Sequence, residues 1–163
     1  MKDFLFRGNR KWLSISVIFF VLVIVYGVMS GASSGKVAYA KYCGDSSQIK
    51  KEAKVGNFKE LDKDASRFEG SIVKFKGEVL QIQEDDNGGA IRLGVTEDVF
   101  GWSSSDVMWV DYRDKTDILN GDIVTVYGVL TGSKSYTSQA NFQITLPKMV
   151  ACAIEKEKKL LGE

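Results

Sequence analysis

The sequence predicts a mainly-β fold: a small five-stranded barrel with a short helix before it and one membrane-spanning helix at the N-terminus. Three observations lead there. Residues 13–29 (LSISVIFFVLVIVYGVM) carry no charged side chain. From Ser71 onward apolar residues recur at period two, in runs rich in Val, Ile and aromatic residues. Glycine-containing turns, Asn-Gly among them, separate those runs, as hairpins require.

A helix needs about 20 apolar residues to cross a hydrocarbon core of ~30 Å. Trp12 before the run, and Gly31 and Ala32 after it, extend it to a span over 12–32. Lys2, Arg7, Arg10 and Lys11 outnumber Asp3 on its N-terminal side. The positive-inside rule therefore keeps residues 1–11 in the cytoplasm and sends the rest outside. A cleavable signal peptide has an apolar core of about 7–15 residues with a small-x-small site close behind. Here the best such site, Ala38-Tyr39-Ala40, lies nine residues beyond Met29, so an uncleaved signal anchor is expected. A lipoprotein would need a cysteine directly after the run, and Cys43 follows Lys41-Tyr42 instead. A buried helix of a soluble fold would normally show a polar face, and this segment has none.

Residues 33–55 read as a linker that continues the flexible SGASSG stretch at 30–35. The folded domain is expected over 56–155. Val55, Phe58, Leu61 and Ala65 recur at spacings of three and four, which predicts an amphipathic helix near 57–66. Asn57 is placed to cap it, with Glu60 completing part of a capping box. Phe58 and Leu61 would dock it onto the domain that follows.

Ser71–Gln83 (SIVKFKGEVLQIQ) predicts a long first strand, with a bulge or bend at Gly77. Glu84–Gly89 is a turn, and Ala90–Thr96 and Asp106–Tyr112 are the second and third strands. Asn120-Gly121-Asp122 turns the chain into a fourth strand, Ile123–Thr131. A polar loop over Gly132–Asn141 precedes a fifth, Phe142–Ile154, in which the single proline, Pro147, implies a bulge or an unpaired amide. Residues 156–163 form a charged tail. Five strands with a glycine bend in a long first strand predict a closed barrel of the OB type.

The segments RFEGSIVKFKGEVLQIQED, IRLGV, VMWVDY, LNGDIVTVYGVLTG and SYTSQANFQITLP resemble the tRNA-anticodon-binding-like OB domains of bacterial cell-surface proteins. The aromatic-x-Gly that ends the preceding helix, Phe68-Glu69-Gly70, fits the same pattern, and the resemblance spans about residues 56–154. It implies a fold and no particular activity. Many OB folds place a helix between the third and fourth strands, whereas this chain has only Arg113–Gly121 there.

Composition narrows the chemistry. The chain has no histidine, and so lacks the commonest general base and transition-metal ligand. No G-x-S-x-G, phosphate-binding loop or dinucleotide fingerprint is present, so no catalytic residue, cofactor or metal site is expected and the chain does not read as an enzyme. The turn Glu84-Asp85-Asp86-Asn87 is acidic but lacks calcium-loop spacing. Cys43 and Cys152 are a candidate disulfide outside the cytoplasm, or two separate thiols, Cys152 then being a small buried strand residue.

Strand alternation assigns faces. Ile91, Leu93, Val95, Met108, Val110, Val124, Val126 and Leu130 are expected inside the barrel, and Lys74, Lys76, Arg92, Trp109 and Tyr127 outside. OB folds bind ligands on the outer face of strands two and three, between the 1–2 and 4–5 loops. The candidate ligand residues are therefore Lys74, Arg92, Trp109 and Tyr127, with Tyr136 reaching in from the 4–5 loop. The competing reading is that the N-terminal helix covers Trp109 and Tyr127 and that the lysines are ordinary solvated charges. Trp102 is expected to pack at the barrel mouth or to join a binding rim.

Beyond the membrane itself, an envelope protein, a glycan or a peptide is the expected partner of such a module, and a scaffold role within a membrane assembly is a further reading. Residues 67–155 hold eight basic and thirteen acidic side chains, net −5. A single-stranded nucleic-acid binder is the rival reading, supported by OB-fold precedent and the grouping of Arg92, Trp109 and Tyr127. That net charge and the inferred location disfavour nucleic acid, whose binding rests on neutralising phosphates.

Overall fold

The computed structural model describes Tyr39, residues 41–138 and residues 140–157. The expected cytoplasmic segment 1–11, the anchor 12–32 and most of the charged tail lie outside the described residues. Among those described, no helix is long and apolar enough to cross a membrane.

The first elements are a helix α1 (Ser46–Glu52), a short strand β1 (Lys54–Val55) and a helix α2 (Phe58–Asp64) that runs into a 3-10 turn, Ala65–Phe68. The main strands are β2 (Ile72–Asp85), β3 (Gly88–Gly94), β6 (Val107–Tyr112), β7 (Ile123–Thr137) and β8 (Gln143–Lys156), with a tiny hairpin, β4 (Glu97–Asp98) and β5 (Gly101–Trp102), between β3 and β6. The sheet runs β1-β2-β3-β6-β8-β7, and pairing of β2 with β7 closes it into a ring. β6 and β8 are parallel, and the other pairings around the ring are antiparallel. This is a five-stranded barrel of the OB type with no helix between its third and fourth strands.

Alternation filled the interior as the sequence anticipated. Ile91, Leu93, Met108, Val110, Val124 and Val126 are fully buried, Leu130 nearly so, and Met149 joins them from β8, while Val95 packs at the rim. Leu61 of α2 enters the same core, and Phe58 and Phe68 pack against it. Asn57 precedes α2 but makes no side-chain capping bond, so apolar docking rather than a cap positions this helix.

Three local readings are corrected. The register shift in β2 falls between Val79 and Gln81, not at Gly77. Gly77 marks instead the point where β2 passes from its β7 partner to its β3 partner, and a Cβ there would lie 2.3 Å from the Gly94 carbonyl oxygen. The polar stretch after Thr131 is largely strand: β7 continues to Thr137, pairing Lys134, Ser135 and Tyr136 with Leu146, Thr145 and Ile144. Pro147 is accommodated opposite Ser133, next to a register shift between Leu130 and Ser133. Finally, the linker contains α1, which begins at Asp45. The Asp45 carboxylate accepts bonds from the Ser47 amide (2.8 Å) and hydroxyl (2.6 Å).

A second apolar layer lies outside the barrel wall. Cys43 and Ile49 are buried against Val129, Val150 and Cys152, with Tyr39, Tyr42, Ile72 and Tyr127 packed around them. Cys43 and Cys152 form a disulfide with Cα atoms 5.2 Å apart, spanning 109 positions in sequence. Between Tyr127 and Gly128 the ladder passes from Ala153 to Ala151, so Cys152 is the extra residue of a bulge. The arm of residues 39–52 is thereby fastened to β7 and β8.

A hydrogen-bond network near the surface ties the ends of β2 and β6 to the loop that follows β6. The Tyr112 hydroxyl donates to Glu84 (2.7 Å), and the Thr116 amide (3.0 Å) and hydroxyl (3.1 Å) donate to the same carboxylate oxygen. The Tyr112 bond, more than the Thr116 bonds, holds the Glu84 carboxyl below its ordinary value of 4.5. Burial, and then the bond to Glu84, push the Tyr112 phenol well above its usual range.

Three outcomes test this description. Gly128→Ala would bring a Cβ to 2.0 Å from the Val150 carbonyl oxygen, and urea unfolding should show a loss of about 1–3 kcal/mol. Replacing both cysteines by serine should lower stability by about 2–5 kcal/mol in the same assay. Glu84 is depressed in the folded state, so its contribution is complete above pH 4.5 and is lost as pH falls below it. Glu84→Gln should therefore unfold at lower urea than the parent at pH 7, and the gap should narrow at pH 3.

Candidate ligand-binding face

On β6 the outward, half-buried positions are Trp109 and Asp111, because Met108, Val110 and Tyr112 are buried. Trp109 sits in the middle of a three-strand row, opposite Arg92 on β3 and Lys148 on β8. Its indole N–H donates to Asp111 Oδ1 at 2.6 Å, and Lys148 holds the other carboxylate oxygen at 2.7 Å. These contacts fix the orientation of the indole ring before any ligand arrives.

The extended β7–β8 hairpin adds two residues to this row. The Tyr136 ring centroid is 5.9 Å from that of Trp109, with planes inclined at 47°. Lys134 reaches over the Trp109 ring, its ammonium 5.7 Å from the centroid. Arg92 makes one long bond, Nη1 to Gln81 Oε1 at 3.4 Å. Its Nε and the Tyr136 hydroxyl are buried atoms with no hydrogen-bond partner among the described residues. The result is a half-buried ring pair bordered by Arg92, Lys134 and Lys148, the last of them paired with Asp111. Such a face can stack a flat or sugar ring and meet a negative charge beside it.

The fold separates the sequence candidates into two groups. Arg92, Trp109 and Tyr136 come together. Lys74 and Tyr127 pair with each other on β2 and β7, on a different part of the wall. Tyr127 packs against the cluster of the N-terminal arm, donates to Glu155 at 3.0 Å and lies under Lys50, which is itself paired with Glu155 at 2.7 Å. Its phenol is raised by the bond to Glu155. The expectation of one surface holding Trp109 and Tyr127 is thus corrected: the arm covers Tyr127 only, and the covering helix is α1 rather than the one near 57–66. Trp102 is half-buried on β5 and borders a hollow with Phe58, Lys74 and Val95, apart from Trp109.

Lys134, Lys148 and Asp111 were not among the sequence candidates. Lys148 stands alone in the apolar run LPKMVACAI, a signal of one outward position in an otherwise covered strand. Lys134 and Tyr136 alternate with small residues in GSKSYT, a period-two pattern hidden by the polar composition of the segment.

No known protein family and no curated protein matches this sequence. Solved structures do match in part. The mitochondrial single-stranded DNA-binding protein Rim1 of S. cerevisiae is 12% identical, over 55% of this chain and 96% of its own, with a TM-score of 0.36. A small single-stranded DNA-binding protein of Streptomyces coelicolor is 18% identical, over 54% of this chain and 94% of its own, TM-score 0.36. An aspartyl tRNA synthetase of Entamoeba histolytica is 10% identical, TM-score 0.39, over 65% of this chain but only 22% of the synthetase. The expectation that nucleic acid is disfavoured as a partner is corrected here. The net charge of −5 averages over residues 67–155, whereas around Trp109 the cations Arg92, Lys134 and Lys148 outnumber the one carboxylate, Asp111.

Proposed function

We propose that this chain is a binding module rather than an enzyme, anchored in the cell membrane by residues 12–32 with its barrel outside. Its ligand lies across Arg92, Trp109 and Tyr136. The observation that carries this reading is the ring pair at 5.9 Å with Lys134 over the indole and Arg92 and Lys148 on either side. In a domain that is acidic overall, three cations around two aromatic rings suit a ligand that combines rings with negative charge. An acidic glycan of the cell envelope has this chemistry and is the class available outside the membrane. The inferred topology rests on the Lys and Arg residues before the apolar run.

A second reading is a single-stranded nucleic acid. The tilted Trp109–Tyr136 pair supports it, because bases stack on such platforms while cations follow the phosphates.

Full-length protein in lipid nanodiscs, titrated with hyaluronan oligosaccharides and separately with an oligothymidylate, tests the reading. One of the two should bind, more weakly as salt rises. Trp109→Ala should lower that affinity by about tenfold or more while leaving the unfolding midpoint within a few degrees of the parent. Unchanged binding by Trp109→Ala would remove the site from this face. In intact cells, protease should digest a C-terminally tagged barrel without lysis; protection until lysis would reverse the topology.

A further inference from the structure

We propose that the disulfide-held N-terminal arm builds a second ring-binding subsite onto the same face, at Tyr39 and Arg113, which takes a neutral, hydroxyl-rich sugar ring of the ligand. The inference rests on the binding reading above and deepens it. A cavity of about 240 Å³ lies where the β2–β3 turn, the end of β6 and the arm meet, bordered by Tyr39, Asp85, Asn87, Asp111, Arg113 and Val150. It adjoins the Trp109 row through Asp111, which is the next outward position after Trp109 on β6, is bonded to Trp109 and Lys148, and also borders the cavity; Arg113 follows just past the end of the strand.

Tyr39 belongs to no strand of the barrel, yet its position is fixed. Its carbonyl oxygen accepts from the Cys43 amide at 2.8 Å, and its hydroxyl donates to the Cys152 carbonyl at 3.4 Å. Cys43 and Cys152 are the bonded pair, so the disulfide clamps the turn that carries this ring. The Arg113 guanidinium sits 5.3 Å from the Tyr39 ring centroid. One aromatic wall, one guanidinium and the oxygens of Asp85, Asn87 and Asp111 form the mixed set that a sugar's faces and hydroxyls pair with.

The two ends differ in charge. Arg92, Lys134 and Lys148 surround Trp109 against the single carboxylate of Asp111, whereas the Tyr39 cavity sets Arg113 against Asp85 and Asp111. A ligand with an acidic sugar at one end and a neutral one at the other matches this order.

Hyaluronan, which alternates acidic and neutral sugars, is the probe, as disaccharide and octasaccharide, with the full-length oxidised protein in nanodiscs. Tyr39→Ala and Arg113→Ala should each weaken the octasaccharide roughly three- to tenfold and leave the disaccharide unchanged. Tyr39→Phe, which keeps the ring, should bind within about twofold of the parent. The Cys43→Ser/Cys152→Ser double variant should match the Tyr39→Ala loss, and adding Tyr39→Ala to it should cost nothing further. Octasaccharide binding unchanged in Tyr39→Ala and Arg113→Ala, with Trp109→Ala defective, would overturn the subsite and leave the face intact. Binding insensitive to Trp109→Ala, or no binding of either oligosaccharide, would overturn the glycan face and this inference together.

Discussion

Strand β2 serves two ladders at once, and the rest of the structure depends on it. Its first half pairs with β7 and its second half with β3, so the sheet closes on itself. The crossing point is so tight that Gly77 has no room for a Cβ beside the Gly94 carbonyl. Closure fills the cylinder with Ile91, Leu93, Met108, Val110, Val124, Val126 and Met149, all fully buried. A barrel packed in this way has no interior left for a ligand. A ligand of the proposed kind must therefore sit on the outside of the wall.

The outside is not uniform. The Cys43–Cys152 bond fastens the arm over β7 and β8, burying Val129 and Val150 and shielding Tyr127. Among the described residues the arm packs on β7 and β8 rather than over Trp109, which is held by Asp111 and bordered by cations. One covalent bond thus sets the part of the wall under the arm apart from the face on which we propose that the ligand binds. Net charge averages over both, which is why a total of −5 for residues 67–155 misrepresented this face.

Much of this was legible in the sequence. Period-two alternation placed the core residues of the second, third and fourth strands and the outward Arg92 and Trp109, because a pleated strand leaves a side chain no third choice. Lys74 and Tyr127 are outward too, yet alternation cannot say which part of a closed wall a residue faces, and neither joined Trp109. Strand ends were less legible. Gly132–Thr137 has the composition of a loop and the pairing of a strand, since Ser133, Lys134, Ser135 and Tyr136 are held by cross-strand partners from Pro147 to Ile144. The sequence left the disulfide open, for the approach of residues 109 positions apart is a property of the fold alone. Helix α1 was missed because its one buried side chain, Ile49, gives no periodic signal.

The central claim, that the face around Trp109 seats the ligand, is tested most directly by the indole N–H resonances of the full-length protein in nanodiscs. The chain has three tryptophans, Trp12, Trp102 and Trp109, so three signals report three regions. On titration with hyaluronan octasaccharide, the Trp109 signal should shift progressively, since its N–H is bonded to Asp111 inside the proposed seat. The Trp12 and Trp102 signals should stay in place. A shift confined to Trp102, or binding that moves none of the three, would contradict the account.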